Sequence, residues 1–154
     1  MKKLLLITVC ILLAGLVMAQ NKTANSNSYK TAVGVKVWDG AGITLKTFIA
    51  DKTALEFIGY FYRFGTRITG LYEIHGQLNT EGNLKWYLGP GVHVGLYKNG
   101  VTAVGVDGVV GLDFKFSDLP LNLALDWQPS VEFGSGDRNG FHGNWGGFAI
   151  RFTL

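Results

Sequence analysis

The sequence predicts an all-β fold, an eight-stranded antiparallel up-and-down β-barrel. Apolar and polar residues alternate with period two over most of the chain after residue 29, which is typical of strands with two different faces. Glycine supplies 22 of the 154 residues, about twice its ordinary usage. Because a glycine inside a helix costs about 1 kcal/mol relative to alanine, long helices are disfavoured. Turn-forming residues divide the alternating stretch into eight runs.

The eight runs follow one another as in a meander. We place the strands at residues 31–38, 43–50, 54–62, 66–77, 84–97, 104–116, 121–133 and 145–154. The turn-forming segments between them are residues 39–42, 51–52, 64–65, 79–83, 99–100, 117–120 and 134–144. Asn99-Gly100 is the clearest turn, since both central residues of a type I′ hairpin need a positive φ. Pro90 and Pro129 fall inside predicted strands, where a proline removes a ladder hydrogen bond and indicates a kink.

Each run places its bulky apolar residues on one face, with no charged residue among them. In the first four runs this face holds Val33, Val35, Val37; Ile43, Leu45, Ile49; Leu55, Phe57, Phe61; and Ile68, Tyr72, Ile74. In the last four it holds Leu84, Trp86, Leu88, Val92, Val94, Leu96; Val104, Val106, Val110, Leu112, Phe114, Phe116; Leu121, Leu123, Leu125, Trp127, Val131, Phe133; and Phe148, Ile150, Phe152, Leu154.

The opposite face carries the charge. It holds thirteen ionisable residues, of which five are basic, six are acidic and two are histidines: Lys36, Lys46, Glu56, Glu73, His75, Lys85, His93, Asp107, Asp113, Lys115, Asp126, Glu132 and Arg151. Glycines share this face, among them Gly89, Gly91 and Gly105. Small residues beside charged ones suit a narrow polar interior, whereas a solvated surface has no need of them.

Two architectures produce such a pattern. A soluble barrel buries the apolar face, and a transmembrane barrel turns it toward lipid and encloses the polar face. We expect the transmembrane barrel, because the apolar face is bulky and unbroken, the chain ends on a strand, and the runs approach the 9–11 residues of a tilted spanning strand. A secreted soluble barrel that binds a small apolar ligand is the alternative.

The first residues predict export. A basic start, an apolar stretch over residues 4–14 and small residues at positions 17 and 19 have the three parts of a cleaved signal peptide. We therefore divide the chain into a signal peptide at 1–19, a polar linker at 20–29 and the barrel at 30–154. Removal of Lys2 and Lys3 leaves 12 basic residues against 11 acidic ones. No basic run remains, which argues against a nucleic-acid partner.

Five segments resemble a known family, the small eight-stranded outer-membrane barrels of the OmpA/OmpX type, and more narrowly the outer-membrane β-barrel domains common in Bacteroidetes. The segments are 70–75 (GLYEIH), 86–91 (WYLGPG), 106–112 (VDGVVGL), 125–130 (LDWQPS) and 148–154 (FAIRFTL). The resemblance implies an outer-membrane location, membrane lipid around the barrel and recognition by the outer-membrane assembly machinery. The assembly signal would comprise Phe148, Ile150, Phe152 and Leu154, although such signals usually end in an aromatic residue.

The lumen of an eight-stranded barrel is just wide enough to be filled by side chains. We therefore expect the charged residues to form a salt-bridged interior network, with a structural or interaction role, no catalysis, and no general diffusion pore. An ion or proton path through the same groups is the alternative. With an even strand number both termini lie at the periplasmic end, and the loops after strands 1, 3, 5 and 7 face outward. We expect a monomer without cofactor.

Two kinds of chemistry remain as alternatives. Glu73, His75 and His93 carry transition-metal ligands on neighbouring strands, but parity does not place them at one height, and we expect no metal. Ser135, Asp137, Arg138 and His142 share the long final loop. They could serve a lipid A acyl hydrolase or transferase, which needs a nucleophile, a base and an orienting acid.

Overall fold

The computed structural model describes residues 29–78, 84–98, 100–134 and 139–154. The predicted signal peptide and residues 20–28 of the predicted linker lie outside these ranges. Within them no helix is long and apolar enough to span a membrane. The described residues form ten strands: β1 (Thr31–Val37), β2 (Gly40–Ala50), β3 (Thr53–Tyr62), β4 (Gly65–Gln77), β5 (Leu84–Tyr97), β6 (Thr102–Lys115), β7 (Leu121–Trp127), β8 (Ser130–Phe133), β9 (Gly140–His142) and β10 (Gly146–Thr153).

The ten strands close into an eight-stranded antiparallel barrel, as predicted. β1 to β6 form a meander, and β6 pairs with both β7 and β8. β7 and β8 are therefore two parts of the seventh barrel strand. β9 pairs with β8 and β10 pairs with β7, so these two form the eighth barrel strand, and the pairing of β10 with β1 closes the cylinder.

The seventh barrel strand is interrupted at Pro129, which has no N–H to donate to the ladder. The backbone bridges the break, because the amide of Gly108 donates to the carbonyl of Pro129 at 2.8 Å and that of Gln128 to Trp145 at 2.9 Å. Pro90 instead stays within β5, paired with Gly108. Only one of the two prolines therefore divides a strand.

The predicted loop at residues 134–144 is shorter in the structure. Gly140–His142 forms β9, in which His142 pairs with Ser130 and Phe141 with Val131. A strand of three residues carries too little alternation for the period of the sequence to reveal it. At the β5–β6 turn Gly100 has a φ of 79°, the left-handed conformation expected there, while Asn99 lies outside the described residues.

The outside of the barrel is apolar. Val92 is 62% exposed and Phe57 52%, and the same outward orientation recurs on every barrel strand. The predicted assembly-signal residues Phe148, Ile150 and Phe152 are 39%, 44% and 49% exposed, and Leu154 is half-buried. The bulky apolar side chains therefore lie on the convex surface.

Inside, a small apolar layer separates the polar groups along the barrel axis. Ile58, Leu71 and Val109 are buried in one cluster with Tyr60 and Tyr87. On β4 and β6 these residues stand between polar inward positions, as Val109 does between Asp107 and Asp113. We call the end with the β1–β2, β3–β4 and β5–β6 turns the loop end, and the end with residues 29 and 154 the termini end.

Candidate functional site: a charged interior and a cavity at the loop end

The interior of the barrel is built from ion pairs. All thirteen ionisable residues of the charged face are buried, and the most exposed of them, Lys85, retains 9% of its accessible surface. The structure brings them into two clusters and one isolated pair. Lys85 lies opposite Asp113 in the β5–β6 register, and Lys115 donates to backbone carbonyls near the termini end.

Arg67 is a further buried charge, which the sequence analysis missed. It lies on β4 at the same parity as Glu73 and His75, so strand alternation carried the signal. With Arg67 included, the buried described residues hold six basic and six acidic side chains. Balance is what burial requires, because an uncompensated buried charge costs several kcal/mol.

The first group is the termini-end cluster, defined by Lys46, Glu56, Glu73, Asp113 and Arg151. Lys46 Nζ lies 2.8 Å from Glu73 Oε2 and 3.4 Å from Asp113 Oδ2. It also lies 3.6 Å from Glu56 Oε2, and Arg151 forms an ion pair with Glu56. One ammonium group thus links carboxylates from β3, β4 and β6.

Neutral donors complete the termini-end cluster. The Asn122 amide donates to Asp113 Oδ1 at 2.7 Å and accepts from Arg151 at 3.1 Å. The Tyr29 hydroxyl donates to Asp113 Oδ2 at 3.1 Å. Burial, reinforced by the negative charge of Asp113, raises the pKa of Tyr29 well above its ordinary value, so the phenol stays a donor.

Aromatic rings close the termini end. The ring of Phe48 contacts Tyr29 edge-on at 5.2 Å between centroids, and His75 at 4.8 Å. His75 stacks on Tyr87 at 5.1 Å, and its Nε2 lies 2.9 Å from Glu73 Oε2. The lumen at the termini end is therefore packed with rings and ion pairs.

The isolated pair, which we call the central pair, is Lys36 and Asp126. Their Nζ and Oδ2 atoms lie 2.5 Å apart, and the Tyr87 hydroxyl donates to the same carboxylate at 2.7 Å. Glycines make room for these side chains. A Cβ on Gly111 would lie 2.7 Å from Asp126 Cβ, and one on Gly147 would lie 2.6 Å from Lys36 Cε.

The loop-end cluster consists of Arg67, His93, Tyr97, Asp107 and Glu132. Arg67 pairs with Asp107 and lies 3.2 Å from Glu132 Oε1. His93 stands between the same carboxylates, with Nδ1 2.7 Å from Asp107 Oδ2 and Nε2 3.2 Å from Glu132 Oε1. The Tyr97 hydroxyl donates to Glu132 Oε2 at 2.8 Å. One guanidinium is thus shared by two carboxylates.

The two remaining lysines lie near the termini end. Lys115 donates to the backbone carbonyls of Phe116 at 2.5 Å and Leu119 at 2.8 Å. The Lys85 ammonium lies 5.5 Å from the centroid of the Phe48 ring. Lys85 also lies opposite Asp113 of the termini-end cluster in the β5–β6 register.

The candidate ligands of the metal alternative do not lie together in the structure. His75 contacts Glu73 in the termini-end cluster, whereas His93 belongs to the loop-end cluster. Among the residues that the structure describes, no group of three or more histidine, cysteine, aspartate or glutamate side chains is arranged to hold a metal ion.

The enzyme alternative rests on a loop that is largely outside the described residues. Ser135, Asp137 and Arg138 fall there, so no geometry relates them to His142. His142 itself lies on β9, and its Nε2 is 3.9 Å from Glu132 Oε2.

A cavity of about 150 Å³ opens beside the loop-end cluster. It is lined by Asp39, Tyr62, Phe64, Tyr97, Glu132, His142, Asn144 and Trp145. The sequence analysis did not predict it, because its walls come from four turns and strand ends far apart in the chain.

These features define a class: a closed eight-stranded β-barrel with an apolar outer surface and a charge-balanced interior. Comparison with known proteins found no matching family model, no similar curated protein and no similar solved structure. The resemblance to OmpA/OmpX-type barrels therefore rests on the five sequence segments and the strand count.

Proposed function

We propose that this protein is a small outer-membrane β-barrel whose interior is filled by side chains, with a structural or interaction role, without catalysis and without a general diffusion pore. The observation that carries the proposal is the distribution of side chains. Six basic and six acidic side chains are buried, while bulky apolar ones cover the outside.

The exposed apolar surface favours lipid as the surrounding solvent. Hiding a Val, Leu or Phe side chain from water is worth about 1.5–3 kcal/mol, and soluble monomers rarely expose contiguous apolar patches beyond a few hundred Å². Here every barrel strand has large apolar side chains on its exposed outer face. β3 and β2, with 10 and 11 residues, have the length of tilted spanning strands.

A groove on the outer surface also suits lipid. It has a volume of about 320 Å³ and is lined by residues of β3, β4 and β5, including Phe57, Tyr72 and Val92. Gly70 and Pro90 also line it. An acyl chain matches the apolar character of such a groove.

The interior argues against a diffusion pore. Eight strands leave a lumen that side chains can fill, and both clusters and the central pair span it. Fusion of the folded protein into planar bilayers should give no stable conductance steps. Steady open-channel currents would overturn the closed interior.

Migration on a denaturing gel tests the membrane barrel directly. The unheated protein should migrate differently from the boiled one, as folded barrels do, and should fractionate with the outer membrane. As a control, urea-unfolded protein should migrate like the boiled sample. A folded protein recovered from the soluble fraction without detergent would contradict the proposal and favour a secreted soluble barrel.

A further inference from the structure

We infer that the loop-end cavity binds a small organic ammonium ion. The inference concerns the cavity alone and does not depend on the membrane location proposed above. The volume of about 150 Å³ is below the 300–1,000 Å³ of pockets for drug-sized ligands, so the ligand has few heavy atoms.

Aromatic rings form the walls of the cavity. The ring of Tyr62 stands nearly perpendicular to those of Tyr97 and Trp145, at interplanar angles of 86° and 85°. The centroid distances are 6.3 Å and 5.2 Å, and Phe64 adds a fourth ring. The four rings line the cavity with aromatic surface, which attracts a cation that lies over a ring face.

The charge at the cavity is negative. Two carboxylates line it, that of Asp39 at the rim and that of Glu132 at the base. The guanidinium that contacts Glu132, that of Arg67, is shared with Asp107. Among the described residues no lysine or arginine lines the cavity. The Arg67 guanidinium also lies 4.3 Å from the centroid of the Trp145 ring, and that of Arg63 lies 5.3 Å from the centroid of Phe64. A bound ammonium would therefore face the two carboxylates and the rings of Tyr62 and Tyr97.

The chemistry of the walls selects an organic cation over a metal ion. Metal ions prefer several oxygen, nitrogen or sulfur ligands, and the described residues provide no such group. A quaternary or alkyl ammonium is instead recognised by aromatic faces together with a nearby carboxylate. Asp39 and Asn144 are exposed at the rim, so the ion would enter from the loop end.

Calorimetric titration with choline tests this site. The folded protein is kept in a maltoside detergent, since phosphocholine detergents carry the ammonium group themselves. Choline should bind with one-to-one saturation, at least tenfold more tightly than 3,3-dimethyl-1-butanol, in which carbon replaces the charged nitrogen. Equal binding of the two compounds, or no saturable binding of choline, would overturn the inference.

Variants assign the binding to the cavity. Trp145→Leu removes a wall and should weaken choline binding about tenfold. Asp39→Asn changes an exposed residue between β1 and β2 and should weaken binding about threefold. Asp51→Asn, an exposed carboxylate in the β2–β3 turn at the termini end, is the matched control and should leave binding unchanged. Wild-type affinity in both cavity variants, with β-structure intact by circular dichroism, would place the ion elsewhere and refute the site.

Nanodiscs distinguish the two sources of an ammonium group. Free choline should bind equally in phosphatidylglycerol and phosphatidylcholine nanodiscs if the ligand is a soluble ion. If free choline binds more weakly in phosphatidylcholine nanodiscs than in phosphatidylglycerol nanodiscs, the phosphatidylcholine headgroup competes for the cavity. The ammonium group would then come from a lipid. Both results support the ammonium site and differ only in where the ion comes from.

Discussion

The two ends of the barrel interior use the same residue types but fill space differently. At the termini end Lys46 contacts three carboxylates, Arg151 adds a second cation, and the rings of Tyr29 and Phe48 cover the group. At the loop end one guanidinium serves two carboxylates, and a cavity remains beside Glu132. The difference indicates that the termini end holds the barrel together, whereas the loop end has room for a ligand.

The largest expected effect follows from removing a cation at the termini end. Arg151→Met removes the guanidinium paired with Glu56 and leaves Lys46, at 3.6 Å, as the remaining ion-pair partner of Glu56 among the described residues. We expect a loss of about 3–5 kcal/mol in the free energy of unfolding, as for a broken buried ion pair. Urea titration of the refolded protein in detergent micelles measures it. The double variant Arg151→Met/Glu56→Gln, which removes both charges, should recover part of the loss; equal stability of wild type and single variant would contradict the role of this end.

A corresponding change at the loop end should cost less. Arg67→Met removes the guanidinium shared by Asp107 and Glu132, but the cavity admits water, and Tyr97 still donates to Glu132. We expect a loss of about 1.5–3 kcal/mol by the same urea titration, the value of a hydrogen bond to a charged group. A loss as large as that of Arg151→Met would remove the distinction between the two ends.

Overpacking the central pair tests the space between the two ends. Gly111→Ala places a methyl group against Tyr87 and Asp126, which should destabilise the barrel by about 1–2 kcal/mol. Gly59→Ala is the control, because a Cβ there meets nothing within 4 Å. The midpoint of urea unfolding should be lower for Gly111→Ala than for Gly59→Ala. Identical midpoints would show that Tyr87 and Asp126 do not need the space that Gly111 leaves.

The smallest effect concerns Tyr29, one of the rings that close the termini end. Tyr29→Phe keeps the ring contact with Phe48 and loses the hydrogen bond to Asp113, which should cost about 1 kcal/mol. Tyr72→Phe, on the exposed outer face, is the control and should not change the unfolding midpoint. If Tyr29→Phe also leaves the unfolding midpoint unchanged, the hydrogen bond from Tyr29 to Asp113 does not contribute to stability.

Strand parity predicted the fold because side chains alternate strictly across a β-strand. The same alternation assigned Lys46 and Glu56 to one face, and it also contained Arg67, which was overlooked. It did not predict β9, whose three residues carry no readable period. Nor did it predict which charges meet. Arg151 and Glu56 are 95 residues apart, and their contact depends on the stagger of all the strands between them.

The contacts of Lys46 have a mechanical consequence. Its ammonium ties the second barrel strand to the third, fourth and sixth across the lumen, so the cross-section is set from within as well as by backbone pairing. Flattening the barrel would have to lengthen several of these ion pairs at the same time. The barrel should therefore keep a round profile under load and resist gradual widening.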